Sequence, residues 1–382
     1  MPQKLAAAGS NAKGQLGIGP TQDAHQFIFA QFLQPDGVIK VLPQGHRIKR
    51  LASGANCTLC LITVRDGKSQ LWAAGDGARG QLGEPKRELH SFAQLDIRHP
   101  CLDQPDAQIV DVAASWDTSF LVVRRPKSKD RVLAMGGNDF GELGRPACDN
   151  ILTEVVLPGH VERIEQIVAG VRHVLVRASD GRVFGWGAAR KGQLGSDEAS
   201  KGVSLPVALD LSGRCTDVAA GNNHSICIVD NAKGTPHITV FGTLAALPDT
   251  LAPDVVRIYS TWTAALALTS SHQVLGWGSD FAHQLGRSNK EAVACVELEH
   301  SGLESISELT CGSAHCLVLG QTHSSPQVWG FGWNEHGNLG LNDGLSSIAI
   351  ARQVWPAGGD AVGNAVKVFA GNATSFIVIE TF

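Results

Sequence analysis

Two short motifs alternate along this chain, and each occurs seven times. The first reads Leu5-Ala-Ala-Ala-Gly-Ser-Asn-Ala-Lys-Gly-Gln-Leu-Gly17. It returns at 71–83, 132–144, 183–195, 274–286 and 328–340, with a Leu-Gly ending each time, and a weaker copy opens at Ile238-Thr-Val-Phe-Gly242. The second is an apolar run, a small residue, two variable residues, His or Thr, and another apolar run. Its copies span 51–62, 110–123, 164–176, 216–229, 255–268, 306–319 and 366–379. The period is roughly 55 residues, which belongs to propellers and arrays rather than to a single packed core.

The runs inside each motif are short, rich in Val, Ile, Leu and aromatics, and bounded by Gly, Asn and Asp, as strands are. Asp66-Gly67 and Asp180-Gly181 join pairs of them, and Asp-Gly supplies the positive φ of tight hairpins. No long 3.6-residue periodicity appears. About four strands per repeat, seven times over, make an all-β fold: a seven-bladed β-propeller of four-stranded blades, in which closure removes the sheet edges. The chain opens on the first motif and ends just after the second, so the two termini are expected to share one blade and close the ring. Residues 1–382 are thus expected to form one propeller domain, with extended loops at 18–47 and 84–108.

Composition agrees. Glycine is 43 of 382 residues with no collagen period, so the glycines mark turns. Net charge is −4, which excludes a protein-wide basic field for nucleic acid. No run of about 18 apolar residues suggests a membrane helix. The short Leu5–Ala8 run ends in a turn motif and does not read as a secretory signal. Nine irregularly spaced cysteines point to a reducing, cytoplasmic or nuclear setting. The acceptor patterns at Asn56, Asn223 and Asn372 follow from the repeat, and no glycan is expected.

Little catalytic chemistry is visible. Cys57 and Cys60 have Cys-x-x-Cys spacing, but residues three apart on a strand point to opposite faces, so they read as packed thiols, as do Cys311 and Cys316. His173, His224 and His315 share one repeat position, filled elsewhere by Cys57, Thr118, Thr263 and Thr374. That variety suits a hydrogen-bonding or packing role rather than a metal cage. The glycine turns precede no helix and contain no phosphate-loop sequence. No metal, no cofactor and no catalytic residue is expected. Trp186, Trp277 and Trp329 sit at the repeated strand position and read as core. Function is expected where the repeat breaks its own pattern. Trp116 and Asp117 occupy the variable turn of one copy and Trp262 that of another, while Trp333, Asn334, Glu335 and His336 fill the turn of the last first-motif copy. A tryptophan in a loop is a large, stiff contact surface with a donor, common at binding hot spots.

The alternating Trp-Gly, Gly-Gln-Leu-Gly and Gly-x-x-His pattern resembles the regulator-of-chromosome-condensation repeat from Leu5 to Ile379. The marks Ala114-Ser-Trp-Asp-Thr118, Tyr259-Ser-Thr-Trp-Thr263, Gly332-Trp-Asn-Glu-His-Gly-Asn338 and Gly371-Asn-Ala-Thr-Ser-Phe-Ile-Val378 look like the fungal killer-toxin-insensitivity and α-tubulin-suppressor subfamily; Leu339 departs from it where Cys can occur. That resemblance implies a non-catalytic scaffold. Its partner would be a small zinc-binding, electron-carrying protein of diphthamide synthesis, in a heterodimer that supports diphthamide formation on elongation factor 2 and Elongator-dependent tRNA wobble-uridine modification. Diphthamide enzymes or Elongator would be reached through that partner, with no direct nucleic-acid or membrane contact. The alternative is guanine-nucleotide exchange on a small GTPase, as the founding member of the repeat family implies, although the first repeat starts at Leu5 with no basic tail ahead of it. A tryptophan-based ultraviolet receptor is disfavoured, since no Gly-Trp-Arg-His-Thr loop occurs.

Overall fold

The computed structural model describes residues 1–84, 86–145, 152–195, 203–231, 234–248, 250–298, 301–356 and 362–382. Seven sheets stand around a central channel, and Ala252–Asp254 forms a 3-10 turn between blades four and five. Numbered in chain order, the innermost strands of blades one to seven are Arg47–Ser53, Gln108–Ala114, Ile164–Ala169, Arg214–Ala220, Val255–Ser260, Ser305–Cys311 and Gly363–Ala370. All seven line the channel.

Blade seven closes the ring as the repeat phase requires. Its strands Gly363–Ala370 and Thr374–Thr381 come from the C-terminus, and Gln3–Gly9 and Ala24–Phe29 from the N-terminus. Gln3–Gly9 pairs without a break along Thr374–Glu380. Two blades depart from four strands. Blade four has three described strands, and this is where the weak first motif lacks its Gly-Gln-Leu-Gly ending. Blade one carries a small extra hairpin, Phe32–Gln34 with Gly37–Ile39, attached by a parallel bridge between Phe32 and Phe92. The segments 18–47 and 84–108 are therefore partly strand rather than loop throughout.

Packing runs between blades. Seven buried apolar clusters occupy the seven blade interfaces. Trp186, Trp277 and Trp329 belong to them, as the repeat position indicated. The Trp186 and Trp277 indoles each donate to a carbonyl, Glu142 O at 2.7 Å and Ala245 O at 3.0 Å, so a large apolar body is buried with its polar handle satisfied. Cys57 and Cys60 fall in different interface clusters, on opposite sides of their strand.

Every innermost strand also carries a β-bulge at the same point. A bulge frees a backbone N–H from its ladder. Here the side chain just after the bulge of one blade accepts an N–H from the next: Asp217 Oδ2 from Ile258 at 2.9 Å, Gln166 Oε1 from Val218 at 3.3 Å and Glu308 Oε2 from Val368 at 3.0 Å. A belt of polar side chains thus staples the inner strands together.

Candidate protein-docking face

The turn between the first and second strands of each blade opens onto one face, and so does the turn between the third and fourth. The first of these explains the Gly-x-x-His motif. A Cβ on Gly170, Gly221 or Gly312 would stand 2.3–2.5 Å from the Cε1 of the histidine three residues on, so the imidazole packs where only glycine leaves room. The histidines then bridge blades: His173 Nε2 lies 3.0 Å from Ser225 Oγ, His224 Nε2 2.7 Å from Ser260 Oγ and His315 Nε2 3.1 Å from Ser375 Oγ. Burial pushes their pKa down to about 3 for His173 and about 4 for His224 and His315, so all three are neutral. Ser225 Oγ donates to Gln193 O and Ser260 Oγ to Thr261 O, so His173 and His224 must donate through Nε2.

In blade five the equivalent position is Ala264, which pairs with Gly278 as His173 pairs with Gly187, and not Thr263 as the sequence spacing suggested. Thr261 fills the glycine place, and its Oγ1 accepts the Ala264 N–H at 2.9 Å. One side-chain hydroxyl thereby replaces the glycine–histidine device.

These turns encircle one mouth of the channel and are linked blade to blade by backbone hydrogen bonds. Trp116 N donates to Val171 O at 3.0 Å, and Trp262 N to Ser313 O at 2.8 Å. Held this way, Trp116 and Trp262, from blades two and five, meet across the mouth with ring centroids 5.9 Å apart. Both line the bowl at the mouth, and Trp116 remains 36% exposed. The Arg172 guanidinium sits 5.7 Å from the Trp116 ring and 5.3 Å from Phe140, within cation–π range.

Asp117 follows Trp116 in the chain, but its carboxylate turns away from solvent. It is buried between Arg79, at 2.9 Å, and Arg172, at 2.8 Å. Arg172 also pairs with Glu142 at 3.1 Å, and Arg79 grips Asp139 through two bonds of 2.6 and 2.7 Å. Burial raises the Glu142 carboxyl, opposed by hydrogen bonds including that from Arg172, while the hydrogen bond from Arg79 lowers that of Asp139. Asp117 therefore positions the two arginines, and Arg79 and Arg172 are the charges presented beside the tryptophans. Neither arginine was among the expected site residues. A signal existed: Asp117 and Arg172 hold the same repeat position in neighbouring blades, and opposite charges at equivalent positions mark an inter-blade pair.

Trp333, Asn334, Glu335 and His336 form a separate group at the rim, between blades six and seven. Trp333 Nε1 donates to Glu335 Oε2 at 3.2 Å, and its ring meets His336 edge-on at 5.2 Å. His336 Nδ1 pairs with Asp23 Oδ2 at 2.7 Å, tying the rim turn to the N-terminal strand region. Asn334 is buried, and its Oδ1 accepts the Leu339 N–H at 2.9 Å while its Nδ2 donates to Leu345 O at 3.0 Å. Asn11 and Asn138 do the same for Leu16 and Leu143. Asn334 is thus a scaffold residue of the repeat turn and leaves the rim surface to Trp333, Glu335 and His336. Phe281, at the tip of the matching turn in blade five, is 73% exposed and adds an apolar contact point that a search for tryptophans passes over. Among the described residues, no group of three His, Cys, Asp or Glu side chains is arranged to hold a metal ion.

Residues 180–228 match the model of the regulator of chromosome condensation (RCC1) repeat, and residues 164–193 match a second model of that repeat. The chain is 28% identical to an RCC1 repeat-containing protein of Schizosaccharomyces pombe, over 98% of this chain and 99% of that one. It is 26% identical to the secretion-regulating guanine nucleotide exchange factor of Bos taurus, over 92% of this chain and 78% of the relative. The human regulator of chromosome condensation is 27% identical over 72% of this chain and 70% of its own length. In fold, the chain is similar to human WBSCR16 with a TM-score of 0.75 at 18% identity, covering 100% and 99% of the two chains. Prp20p of Saccharomyces cerevisiae gives the same score and identity, with 100% and 92% covered. The ring of seven blades and the glycine–histidine turns thus go with a likeness to proteins of regulator-of-chromosome-condensation repeats, and residues 164–228 match the repeat itself.

Proposed function

We propose that this propeller is a non-catalytic docking protein that holds a small globular protein on its channel-mouth face and promotes guanine-nucleotide exchange on a small GTPase. The observation that carries the docking surface is the Trp116–Trp262 pair with Arg172 packed on it: an apolar centre flanked by fixed charge, the composition of a binding hot spot. The resemblance to guanine nucleotide exchange factors supports the exchange reading. Exchange needs no covalent step, only tighter binding to the nucleotide-free partner than to the loaded one. The working compartment is the cytoplasm, with access to the nucleus.

The second reading is the scaffold for a small zinc-binding electron carrier, serving diphthamide synthesis and Elongator-dependent tRNA modification. What favours it is that two of the subfamily marks, at 114–118 and 259–263, carry the two tryptophans that meet at the mouth.

The test is a titration of the purified chain with nucleotide-free small GTPases and with the small zinc protein, read by calorimetry, together with release of a fluorescent guanine nucleotide. Accelerated release from one GTPase supports exchange. A one-to-one complex with the zinc protein and no accelerated release supports the scaffold. Trp116→Ala and Trp262→Ala should each weaken the productive complex by about 2 kcal/mol, roughly thirtyfold, with the fold intact. Unchanged affinity in both variants would remove the docking face from consideration.

A further inference from the structure

Two cysteines below the channel mouth are placed for chemistry that docking does not use. Cys311 ends the innermost strand of blade six and Cys316 lies near the start of the next strand; they are direct register partners across the turn Gly312-Ser313-Ala314-His315. Their sulfurs are 3.2 Å apart. Directly opposed residues of an antiparallel pair have Cα atoms about 4.5–5.5 Å apart, inside the range of about 4.4–6.8 Å that a disulfide spans. The turn is closed by a hydrogen bond from Gly312 N to His315 O of 2.8 Å, so the backbone already holds the two side chains face to face.

Access separates this pair from the other neighbouring pair of thiols, and pairing in register separates it from the half-buried Cys101 and Cys295. Cys311 is half-buried and lines both the channel wall and the bowl beneath Trp116 and Trp262. Cys316 is fully buried behind it. Cys215 and Cys227 also neighbour one another, but both are sealed in the interface between blades three and four. Cys57 and Cys60 point to opposite sides of their strand.

We propose that Cys311 and Cys316 are a redox modification site, forming a reversible disulfide when a hydroperoxide enters through the channel mouth. Cys311 sulfur attacks the terminal peroxide oxygen and the O–O bond breaks. This gives the Cys311 sulfenic acid and, from hydrogen peroxide, one water. Cys316 sulfur then attacks the Cys311 sulfur, the S–O bond breaks, and the hydroxyl leaves with the Cys316 proton as a second water. Two thiols lose two electrons and the peroxide gains them; a dithiol reductant reverses the change. The turn that becomes covalently closed is the one whose Ser313 carbonyl holds the Trp262 N–H and whose Ser313 N–H and hydroxyl bind Asn372 O. Oxidation therefore stiffens one wall of the mouth, and disulfide formation requires nothing of the docking partner's identity.

The experiment treats the purified full chain with a few equivalents of hydrogen peroxide. Free thiols are then alkylated under denaturing conditions, and intact and peptide masses are read. The expected result is loss of two hydrogens in the intact mass, with Cys311 and Cys316 alone protected from alkylation and both recovered after dithiothreitol. In Cys316→Ser, the reaction should stop at a Cys311 sulfenic acid that dimedone traps; in Cys311→Ser, Cys316 should stay reduced. Peroxide treatment that leaves both thiols of the wild-type chain open to alkylation overturns the proposal, and so does a disulfide confined to another pair. The wild-type mapping decides the matter even where a variant does not fold.

Discussion

Lowering the pH should loosen this ring at three known points. His173, His224 and His315 are neutral in the fold, with pKa values pushed to about 3, about 4 and about 4, against 6.5 when free. The unfolded chain takes up protons below pH 6.5 that the folded chain refuses until about pH 4. Stability from these groups is fully present above pH 6.5 and is lost as the pH falls through that window. Between pH 7.5 and 5.5 each histidine should cost about 1.4 kcal/mol, so the three together remove about 4 kcal/mol. Asp111, Glu142 and Glu308 act in the opposite direction, because burial raises their carboxyls and the fold then binds protons more readily than the unfolded chain. The wild-type total therefore mixes two signs, and a difference isolates the histidines. Urea unfolding followed by tryptophan fluorescence at pH 7.5 and 5.5 gives the loss for wild type and for His173→Gln, His224→Gln and His315→Gln. Each variant starts less stable, but its loss between the two pH values should be smaller by about 1.4 kcal/mol. An equal loss in wild type and in all three variants would refute the assignment of buried, neutral histidines.

Asp217→Ala leaves the Ile258 N–H without its acceptor, while the Val218 N–H keeps Gln166, and should cost about 2 kcal/mol, read as a drop in thermal midpoint; a shift no larger than that of a surface control would count against the inter-blade staple. Gly312→Ala places a Cβ 2.2 Å from Gly371 O and 2.3 Å from His315 Cε1, and should destabilise by about 2 kcal/mol or more in urea unfolding, whereas Gly67→Ala, which meets nothing within 4 Å, bears only its backbone strain at φ +82°. Removing residues 1–9 deletes a strand paired on both sides and bares the edge of Thr374–Thr381, so the truncated chain should elute as aggregate in size-exclusion chromatography; a monomer with an unchanged midpoint would contradict closure by the two termini.

The blade count, the all-β architecture and the closing of the ring were legible in the sequence, because each depends on features that repeat locally. Turn glycines recur at a fixed period, strand residues alternate with them, and the phase of the first and last motifs forces the ends together. The core tryptophans were legible for the same reason, since a repeat position has one environment in every blade. The role of Asn334 was hidden by its tryptophan and glutamate neighbours, though Asn11 and Asn138 at the same position carried the clue. Ala264 was misplaced by one residue because blade five exchanges the glycine–histidine pair for a threonine hydroxyl, and spacing alone does not register that exchange.

What tertiary structure alone decided are the relations across the ring. Trp116 and Trp262 lie 146 positions apart and three blades apart, yet their rings meet, because the innermost turns of a closed seven-blade ring converge on a mouth narrow enough for two indoles to span. Asp117 looked like a surface charge until Arg79 and Arg172 enclosed it from blades one and three. Cys311 and Cys316 looked like two more packed thiols until register set their sulfurs face to face and the channel gave solvent a way to one of them. A one-dimensional repeat fixes what each blade is; the ring's radius and its blade-to-blade hydrogen bonds fix which side chains of different blades touch.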